Sequence, residues 1–241
     1  MCSDLIILKD MAMVQMKTFD KRLYIACVVA AFVVIAFSNF DLFVSSLFYE
    51  KGVGFVGKNS DFCKFFHKDW MLVIYGLPAL CVGFWLGGKI NKQSVCAVKN
   101  KTLAFVIASG LVIPGLIING IFKEFWGRAR PRDIVDFGGE ALFTSPLVIS
   151  EQCGDNCSFP SGHVAAAAWC LAIALILPKP LRKLGIMLVF VMAGVVAYTR
   201  IAMGAHFLSD TLFSLIIVVP LVLYMWRKFG LDKDQDNEEK A

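Results

Sequence analysis

The chain contains little charge, few histidines and no simple repeat. Only 18% of its 241 residues are charged, and only three are histidine. Soluble domains carry about 25% charged residues, so this composition excludes the soluble globular class. The low charge also excludes a disordered chain, and the lack of a glycine period or of heptads excludes collagen and coiled coils. What the chain has is apolar sequence: 58% of its residues are hydrophobic, and the mean hydropathy is +0.68.

The apolar residues form six runs, each near the length of about 20 residues that crosses a bilayer. Backbone groups in lipid must pair internally, so each run is predicted to be a helix. The runs lack a polar face, which disfavours a soluble helical protein. The predicted fold class is all-α: a six-helix transmembrane bundle at residues 23–228, between tails at 1–22 and 229–241. The predicted spans are 23–40, 70–87, 102–122, 162–177, 184–202 and 207–226.

The distribution of Lys and Arg predicts the orientation of this bundle. Fifteen of the 24 cationic residues lie in the two tails and in the second and fourth connections, and nine lie on the other side. Cytoplasmic segments carry the excess of Lys and Arg, so both termini are predicted in the cytoplasm. The connections 41–69, 123–160 and 199–206 then face outward. The first of them is rich in aromatic residues and is expected to hold a short amphipathic helix at the membrane interface.

Cationic residues collect on the outer side, where they should be scarce. Lys123 and Arg130 are seven apart, so on a continuing helix they would point the same way. Pro131 disfavours helix at the residue before it, which predicts a helix end with two cations aimed at one spot. Snorkelling at the lipid interface explains one or two such charges. It explains poorly a lysine, three arginines and a proline within ten residues.

The fourth predicted span opens with Pro160-Ser161-Gly162-His163. A small, polar, glycine-containing helix start leaves several N–H groups free, and such groups at the positive end of a helix dipole bind phosphate. Ser161 would add a hydroxyl donor. A simple N-cap with an incidental histidine is the alternative interpretation, and both stay open on this segment alone.

A third cluster lies where the fifth span meets the sixth. His206 and Asp210 are four apart and share a helix face, where a carboxylate can fix the ring tautomer and support positive charge. On a continuous helix Arg200 would lie about 120° from that face, so the chain must turn near Gly204 to bring Arg200 beside His206. A structural contact between two buried polar groups is the alternative.

Together these segments resemble the signature of the type-2 phosphatidic acid phosphatase superfamily. Its members are membrane phosphatases, typically with six spans, that work without metal. The likeness covers residues 123–210, with one departure: Thr199 stands where the family usually has Ser. Phe137-Gly-Gly and the segment 153–159 are also similar to bacterial lipid A phosphatases. The matching motifs are Lys123-x6-Arg130-Pro131, Pro160-Ser161-Gly162-His163 and Arg200-x5-His206-x3-Asp210.

The resemblance implies a role for each motif residue. His206 is the nucleophile that forms a phosphohistidine, Asp210 orients it, and His163 is the general acid and then the base. The implied phosphate ligands are Lys123, Arg130, Ser161, Gly162 and Arg200. The implied reaction is metal-independent hydrolysis of a phosphomonoester or pyrophosphate on a membrane lipid, with no cofactor. The expected partners are the lipid substrate and the bilayer, with no nucleic acid.

The substrate and two flanking arginines are less closely defined. Arg128 and Arg132 either contact a polyanionic headgroup or are solvated, with Glu124 expected as the local partner of Arg128 at i+4. The likeness to lipid A phosphatases implies a bacterial inner-membrane protein whose site faces the periplasm. Undecaprenyl pyrophosphate, phosphatidylglycerophosphate and phosphatidate stay open as substrates.

Two other functions use the same residues. A lipid phosphotransferase would form the same phosphohistidine and pass the phosphate to a lipid acceptor instead of water. An anion channel or carrier would use the cations as a selectivity site, but it gains nothing from Asp210.

Three cysteines, Cys63, Cys153 and Cys157, are predicted on the oxidising outer side. A bridge between Cys153 and Cys157 would close a small loop just before the site, and Cys63 is an alternative partner. A zinc site that includes His163 is disfavoured, because that ring is needed for chemistry and His67 is the only other outer histidine outside the motifs.

Overall fold

The computed structural model describes residues 25–26, 28–29, 39–90 and 99–232, and these are mostly helical. The first predicted span, 23–40, falls largely outside them. Within the described ranges, two apolar helical stretches, Gly76–Gly87 and Gly162–Ile176, are shorter than a full span. Three helices are long and apolar enough to cross a membrane: Asn100–Phe125, Lys179–Ala202 and Leu208–Lys228.

The other five predicted spans all coincide with helices. The span at 162–177 is divided between two helices, and the other four each correspond to one helix. Within the described parts of the connections lie three short 3-10 turns, at Val56–Lys58, Pro131–Asp133 and Val135–Phe137. The helices and strands in chain order are α1 (Asn39–Ser46), β1 (Tyr49–Glu50), β2 (Gly54–Phe55), α2 (Asp61–His67), α3 (Asp69–Ile90), α4 (Asn100–Phe125), α5 (Gly162–Trp169), α6 (Leu171–Ile176), α7 (Lys179–Ala202) and α8 (Leu208–Lys228).

The connection before α3 holds a short helix, as its aromatic-rich sequence indicated. β1 and β2 pair antiparallel, and α2 follows them. On α2, Cys63 and Phe66 are buried, whereas Phe62 and Phe65 are about half exposed. Cys63 packs with Ala202, Met203 and Ala205 at the junction of α7 and α8. This packing fixes α2 against the region that carries Arg200 and His206.

Helix α4 changes its winding halfway along. It is α-helical over Asn100–Gly110, π-helical over Leu111–Phe122 and α-helical again over Lys123–Phe125. Pro114 lies in the π-helical part, where it removes one backbone donor from the ladder. The Asn119 side chain donates to the Pro114 carbonyl at 2.6 Å. π-helical turns are frequent at functional sites, and this one leads directly to Lys123.

The core forms where α5 packs against α4, α7 and α8. The residues from Val164 to Ala168 on α5 are all buried, and four of the five are alanine. Small residues let helix backbones approach closely inside a membrane protein. Trp169 ends α5, and its indole N–H donates to the buried Ser109 hydroxyl at 3.0 Å. This bond ties the end of α5 to α4.

The turn between α7 and α8 requires glycine. Gly204 has a φ of +62°, a conformation that glycine adopts without steric cost. A Cβ at this position would also lie 2.3 Å from the ring of Phe55. The Ala205 N–H donates to the Arg200 carbonyl at 3.0 Å and closes the turn. The predicted turn near Gly204 is confirmed.

The segment after α4 differs from the expected continuous helix. α4 ends at Phe125, and Gly127 has a φ of +62°, so the chain leaves the helix axis before Arg130. A Cβ at Gly127 would collide with the Ser150 carbonyl. Arg130 itself is extended, with φ −81° and ψ 156°, as its position before Pro131 requires. Any convergence of Lys123 and Arg130 therefore depends on loop contacts and not on helix periodicity.

Candidate active site

Asn156 brings Lys123 and Arg130 to one point. The Lys123 ammonium donates to the Asn156 side-chain oxygen at 2.9 Å. The Arg130 guanidinium donates to the Asn156 carbonyl through Nε at 3.1 Å and Nη2 at 2.6 Å. A disulfide joins Cys153 to Cys157 and encloses Asn156 between them. The connection between α4 and α5 thus gathers two of the expected phosphate ligands.

His206 is fully buried, and its partner defines its tautomer. Nδ1 lies 2.6 Å from the Ser158 carbonyl oxygen, which can only accept, so Nδ1 carries the proton. Burial lowers the pKa of His206 to about 3; the Arg200 charge also lowers it, and Asp210 acts in the opposite direction. The ring is therefore neutral with its lone pair on Nε2, which is the form that a nucleophile needs.

Asp210 lies behind His206. Its carboxylate is 3.7 Å from His206 Nδ1, which is too long for a hydrogen bond. The same carboxylate accepts from the Phe207 N–H at 2.8 Å and from the Ser158 hydroxyl. Asp210 therefore caps the start of α8. It also holds Ser158, whose carbonyl orients the His206 ring. Its influence on the ring tautomer passes through Ser158.

Arg128 is placed differently from the expectation. It is fully buried, so it is neither solvated nor exposed to a headgroup. Its guanidinium bonds to Asp41 at 2.9 Å, to the Ser209 hydroxyl at 2.9 Å and to Asp210. These partners replace Glu124, because α4 ends before Arg128 and no i+4 relationship remains. Arg128 thus belongs to the support of the site.

Arg132 and Thr199 also have defined surroundings. The Arg132 side chain is about one-third exposed, and its Nε lies 3.6 Å from Asp133. The hydroxyl of the buried Thr199 donates to the Val196 carbonyl at 2.8 Å, one turn back on α7. A serine could make the same bond, so the Thr in place of Ser keeps this local contact.

His67 and Asp41 are site residues that sequence reasoning missed. Arg200 Nη1 donates to His67 Nδ1 at 2.8 Å. His67 Nδ1 also lies 3.2 Å from His163 Nε2. His67 lies 133 positions from Arg200, and Asp41 lies 87 positions from Arg128. No local spacing can indicate contacts at such separations. The sequence offered one signal that His67 could belong to the site: the chain has only three histidines, and the other two lie in the motifs.

Three buried polar atoms of the expected site have no hydrogen-bond partner among the described residues: Ser161 Oγ, Arg200 Nε and His206 Nε2. Buried polar groups are normally paired, so unpaired ones need an explanation. The Ser161 N–H donates to the Asp210 carbonyl at 3.2 Å, which sets the start of α5 against the start of α8. A hydroxyl and a guanidinium N–H are therefore free to donate to an anion, and the imidazole lone pair on His206 Nε2 is unpaired.

Gly162 allows the start of α5 to approach α4. A Cβ at Gly162 would lie 2.6 Å from the Asn119 side-chain oxygen and 3.5 Å from Lys123 Cε. The Lys123 side chain consequently passes close to the backbone at the helix start, where N–H groups are free. These are the elements of an anion-binding site at a helix N-terminus.

A cavity of about 430 Å³ extends from this point between α3, α4 and α5. Asn119, Lys123, Gly162 and His163 line its polar part. Most of its remaining wall is apolar and comes from Ile74, Pro78, Val106, Ile107, Leu111, Pro114, Ala166 and Trp169. The fold and the site together define a helical membrane protein with unpaired buried polar groups and an apolar cavity in the same bundle.

Comparisons with known proteins agree with this class. The chain matches the PAP2 superfamily over residues 99–233. A Lipid A 4'-phosphatase of Francisella tularensis subsp. novicida is 33% identical over 200 residues, which cover 80% of this chain and 88% of the relative. A Lipid A 4'-phosphatase of Rhizobium etli is 37% identical over 116 residues, which cover 46% of this chain and 45% of the relative.

A solved structure shares the fold. The PAP2 type phosphatidylglycerolphosphate phosphatase from Bacillus subtilis aligns with a TM-score of 0.52 at 20% identity, over 88% of this chain and 96% of that one. The chain belongs to the PAP2 superfamily, as its three motifs indicated, and it is a lipid phosphatase.

Proposed function

We propose that this enzyme hydrolyses the 4'-phosphate of a lipid A-type glycolipid through a phosphohistidine on His206. The observation that carries the mechanism is the set of three unpaired atoms, since one of them is the His206 Nε2 lone pair and the others are donors on Ser161 and Arg200. A neutral imidazole beside free donors is arranged to attack a bound phosphate. The named relatives support lipid A as the substrate.

In the first step, His206 Nε2 attacks phosphorus, and the bond between phosphorus and the lipid oxygen breaks. The negative charge of the bound phosphate favours the imidazolium form of His163. This imidazolium gives a proton to the lipid oxygen, so the lipid leaves as an alcohol and the His163 ring becomes neutral. Charge on the equatorial oxygens of the transition state is neutralised by Lys123, Arg130 and Arg200. Because these three cations carry out that task, the mechanism needs no metal ion.

In the second step, water attacks the phosphorus of the phosphohistidine. His163, now neutral, takes the proton from the water, and the bond between phosphorus and nitrogen breaks. Free phosphate leaves, and His206 regains its lone pair. The Ser161 hydroxyl and the Gly162 N–H donate to the phosphate in both steps. Asp210 supports the Nδ1 proton of His206 through Ser158 while the ring is positively charged.

The cavity beside the site supports a lipid substrate. Its polar part contains Lys123 and His163, and its apolar walls from α3, α4 and α5 suit an acyl chain. A phosphate at the polar part would lie beside the expected general acid. We infer that the lipid enters from the bilayer between α3 and α4.

The proposal includes six spans with both termini in the cytoplasm and the site at the periplasmic face of a bacterial inner membrane. The excess of Lys and Arg on one side supports this orientation. Bacterial relatives support the location. Cysteine accessibility labelling at Lys179→Cys and at Lys58→Cys in intact cells tests it: only the second site should react with an impermeant reagent.

Phosphate release by the purified protein in EDTA-containing detergent buffer tests the activity. The substrates are lipid A bisphosphate, undecaprenyl pyrophosphate, phosphatidylglycerophosphate and phosphatidate, with His206→Ala as the inactive control. We expect turnover of lipid A, with mass spectrometry locating the loss at the 4'-position. Preference for another lipid in the panel would reject the substrate assignment. Transfer of phosphate to an added acceptor lipid, without free phosphate, would identify a phosphotransferase.

A further inference from the structure

His67 lies at the end of α2, outside all three motifs, yet it contacts two motif residues. Its Nδ1 accepts from Arg200 Nη1 at 2.8 Å and lies 3.2 Å from His163 Nε2. Its backbone carbonyl also lies 3.2 Å from His163 Nε2. The rings of His67 and His163 have centroids 5.2 Å apart. One residue of the connection before α3 therefore bridges the expected general acid and a phosphate ligand.

The hydrogen-bond partners define the protons. Arginine can only donate, so His67 Nδ1 must be the acceptor and His67 must carry its proton on Nε2. A backbone carbonyl can only accept, so His163 Nε2 must carry a proton. The pKa of His67 is lowered, first by burial and then by Arg200, with smaller contributions from Arg130, Arg132 and Lys68. His67 is thus neutral and able to accept near neutral pH.

The contact with His67 also divides the Arg200 guanidinium into two parts. Nη1 is held by His67, whereas Nε is buried without a partner among the described residues. One edge is therefore fixed to the protein, and the other is left for a ligand. A planar guanidinium that is anchored on one edge presents its remaining donors in a fixed direction.

We propose that His67 is a positioning residue: its ring anchors Arg200 towards the phosphate, and its backbone carbonyl fixes the orientation of the His163 ring by accepting from Nε2. This inference rests on the proposed phosphatase site and assigns the connection before α3 a part in building it. The buried side chains Cys63 and Phe66 fix α2 in place, so the His67 ring is presented from a rigid element. His67 makes no bond to the phosphate and takes no part in proton transfer to the lipid.

Two amide variants separate this role from simple packing. The asparagine side-chain oxygen can replace Nδ1 as an acceptor, whereas the longer glutamine places its amide near the position of Nε2. Loss of a hydrogen bond to a charged group corresponds to about a ten- to hundredfold effect. We expect His67→Ala and His67→Gln to bind inorganic phosphate at least about tenfold more weakly than wild type, and His67→Asn to stay close to it.

The probe is inorganic phosphate, measured by the thermal shift of each purified variant in detergent. Lys64→Ala is the matched control, because this side chain lies on the exposed face of α2, where it bonds to Asp61. Wild-type affinity in His67→Ala, or equal losses in His67→Asn and His67→Gln, would overturn the proposal. Phosphate binding does not depend on which lipid is the substrate, so this assay tests the role of His67 alone. Failure of the wild type to turn over any lipid would instead reject the proposed function.

The proton assignment has its own spectroscopic test. The chain has only three histidines, so a protein labelled with ¹⁵N-histidine gives ring signals from three residues. The signal that disappears in His67→Asn belongs to His67. We expect it to show a neutral ring protonated at Nε2 at pH 7. A proton on Nδ1 would exclude acceptance from Arg200 and would overturn the proposal.

Discussion

The guanidinium of Arg128 bonds directly to the carboxylate of Asp210, and both side chains are fully buried. Arg128 also contacts Asp41 at 2.9 Å, and Asp41 accepts from the Ser209 N–H at 2.9 Å. One arginine thus bonds to two carboxylates and connects α1 to the start of α8. Asp210 in turn holds Ser158, whose carbonyl orients His206. The tautomer of the expected nucleophile therefore depends on an ion-pair network behind it.

Replacing Arg128 with Met should strongly destabilise the protein. The substitution leaves two buried carboxylates without a cation, and breaking a buried pair costs about 3–5 kcal/mol. Arg128→Lys should also be destabilising, since lysine keeps the charge but cannot make the forked contacts to both carboxylates. The measurement is the thermal unfolding midpoint of each variant in the same detergent.

Arg132→Met provides the matched control for Arg128→Met. Arg132 is partly exposed, and exposed ion pairs contribute at most about 1 kcal/mol. Its unfolding midpoint should therefore stay near that of the wild type. Equal losses in the two variants would contradict a special role for Arg128. The double variant Arg128→Met with Asp41→Asn should lose less stability than the sum of the single variants, because they share one interaction.

The described helices and the family motifs could be predicted from the sequence because each depends on local information. A hydrophobic run indicates a helix, and the positions of Gly204 and Pro131 indicate where the chain turns. The network behind the site depends on contacts between distant segments: Asp41 and Ser209 lie 168 positions apart. The expected pair of Glu124 and Arg128 was wrong for a related reason, since it assumed a helix beyond Phe125.

Substitution of His206 should abolish turnover. If Nε2 forms the phosphohistidine, His206→Ala has no atom to take the phosphoryl group. Wild type mixed briefly with ³²P-labelled lipid should carry an acid-labile label on the protein, and His206→Ala should carry none. His163→Ala should retain a trace of activity, with a loss of about 10²–10⁴-fold for the missing general acid. An active His206→Ala enzyme would contradict the mechanism.

The pH dependence of stability should report the neutral state of His206. Its folded pKa is lowered to about 3, whereas an unfolded histidine titrates near pH 6.5. Between these values the unfolded chain binds a proton that the folded protein does not. Stability from this group is therefore fully present above about pH 6.5 and falls as the pH drops, by at most about 1.4 kcal/mol per pH unit.

His206→Asn isolates this contribution, because the asparagine amide can donate to the Ser158 carbonyl but does not titrate. Unfolding midpoints of both proteins should be measured in detergent between pH 7.5 and pH 5. We expect the midpoint of His206→Asn to fall less steeply with decreasing pH than that of wild type. Parallel curves would show that His206 is not buried in its neutral form.

Opening the loop around Asn156 should weaken phosphate binding. The disulfide between Cys153 and Cys157 encloses Asn156, whose oxygens hold Lys123 and Arg130. Without the bridge, these cations lose a fixed partner and spread over more conformations. The double variant Cys153→Ser and Cys157→Ser should therefore raise KM more than it lowers kcat, since both cations bind the phosphate in the ground state as well.

Dithiothreitol distinguishes the bridge from the substitutions themselves. It should raise the KM of the wild type towards that of the double-serine variant and leave the variant unchanged. Cys170→Ser is the matched control, because Cys170 is a partly buried free thiol outside the loop. This variant should keep both the wild-type KM and its sensitivity to dithiothreitol. If dithiothreitol leaves the KM of the wild type unchanged, the prediction is wrong. Other contacts, such as the bond from Arg130 to the Asn156 carbonyl, would then hold the loop without the bridge.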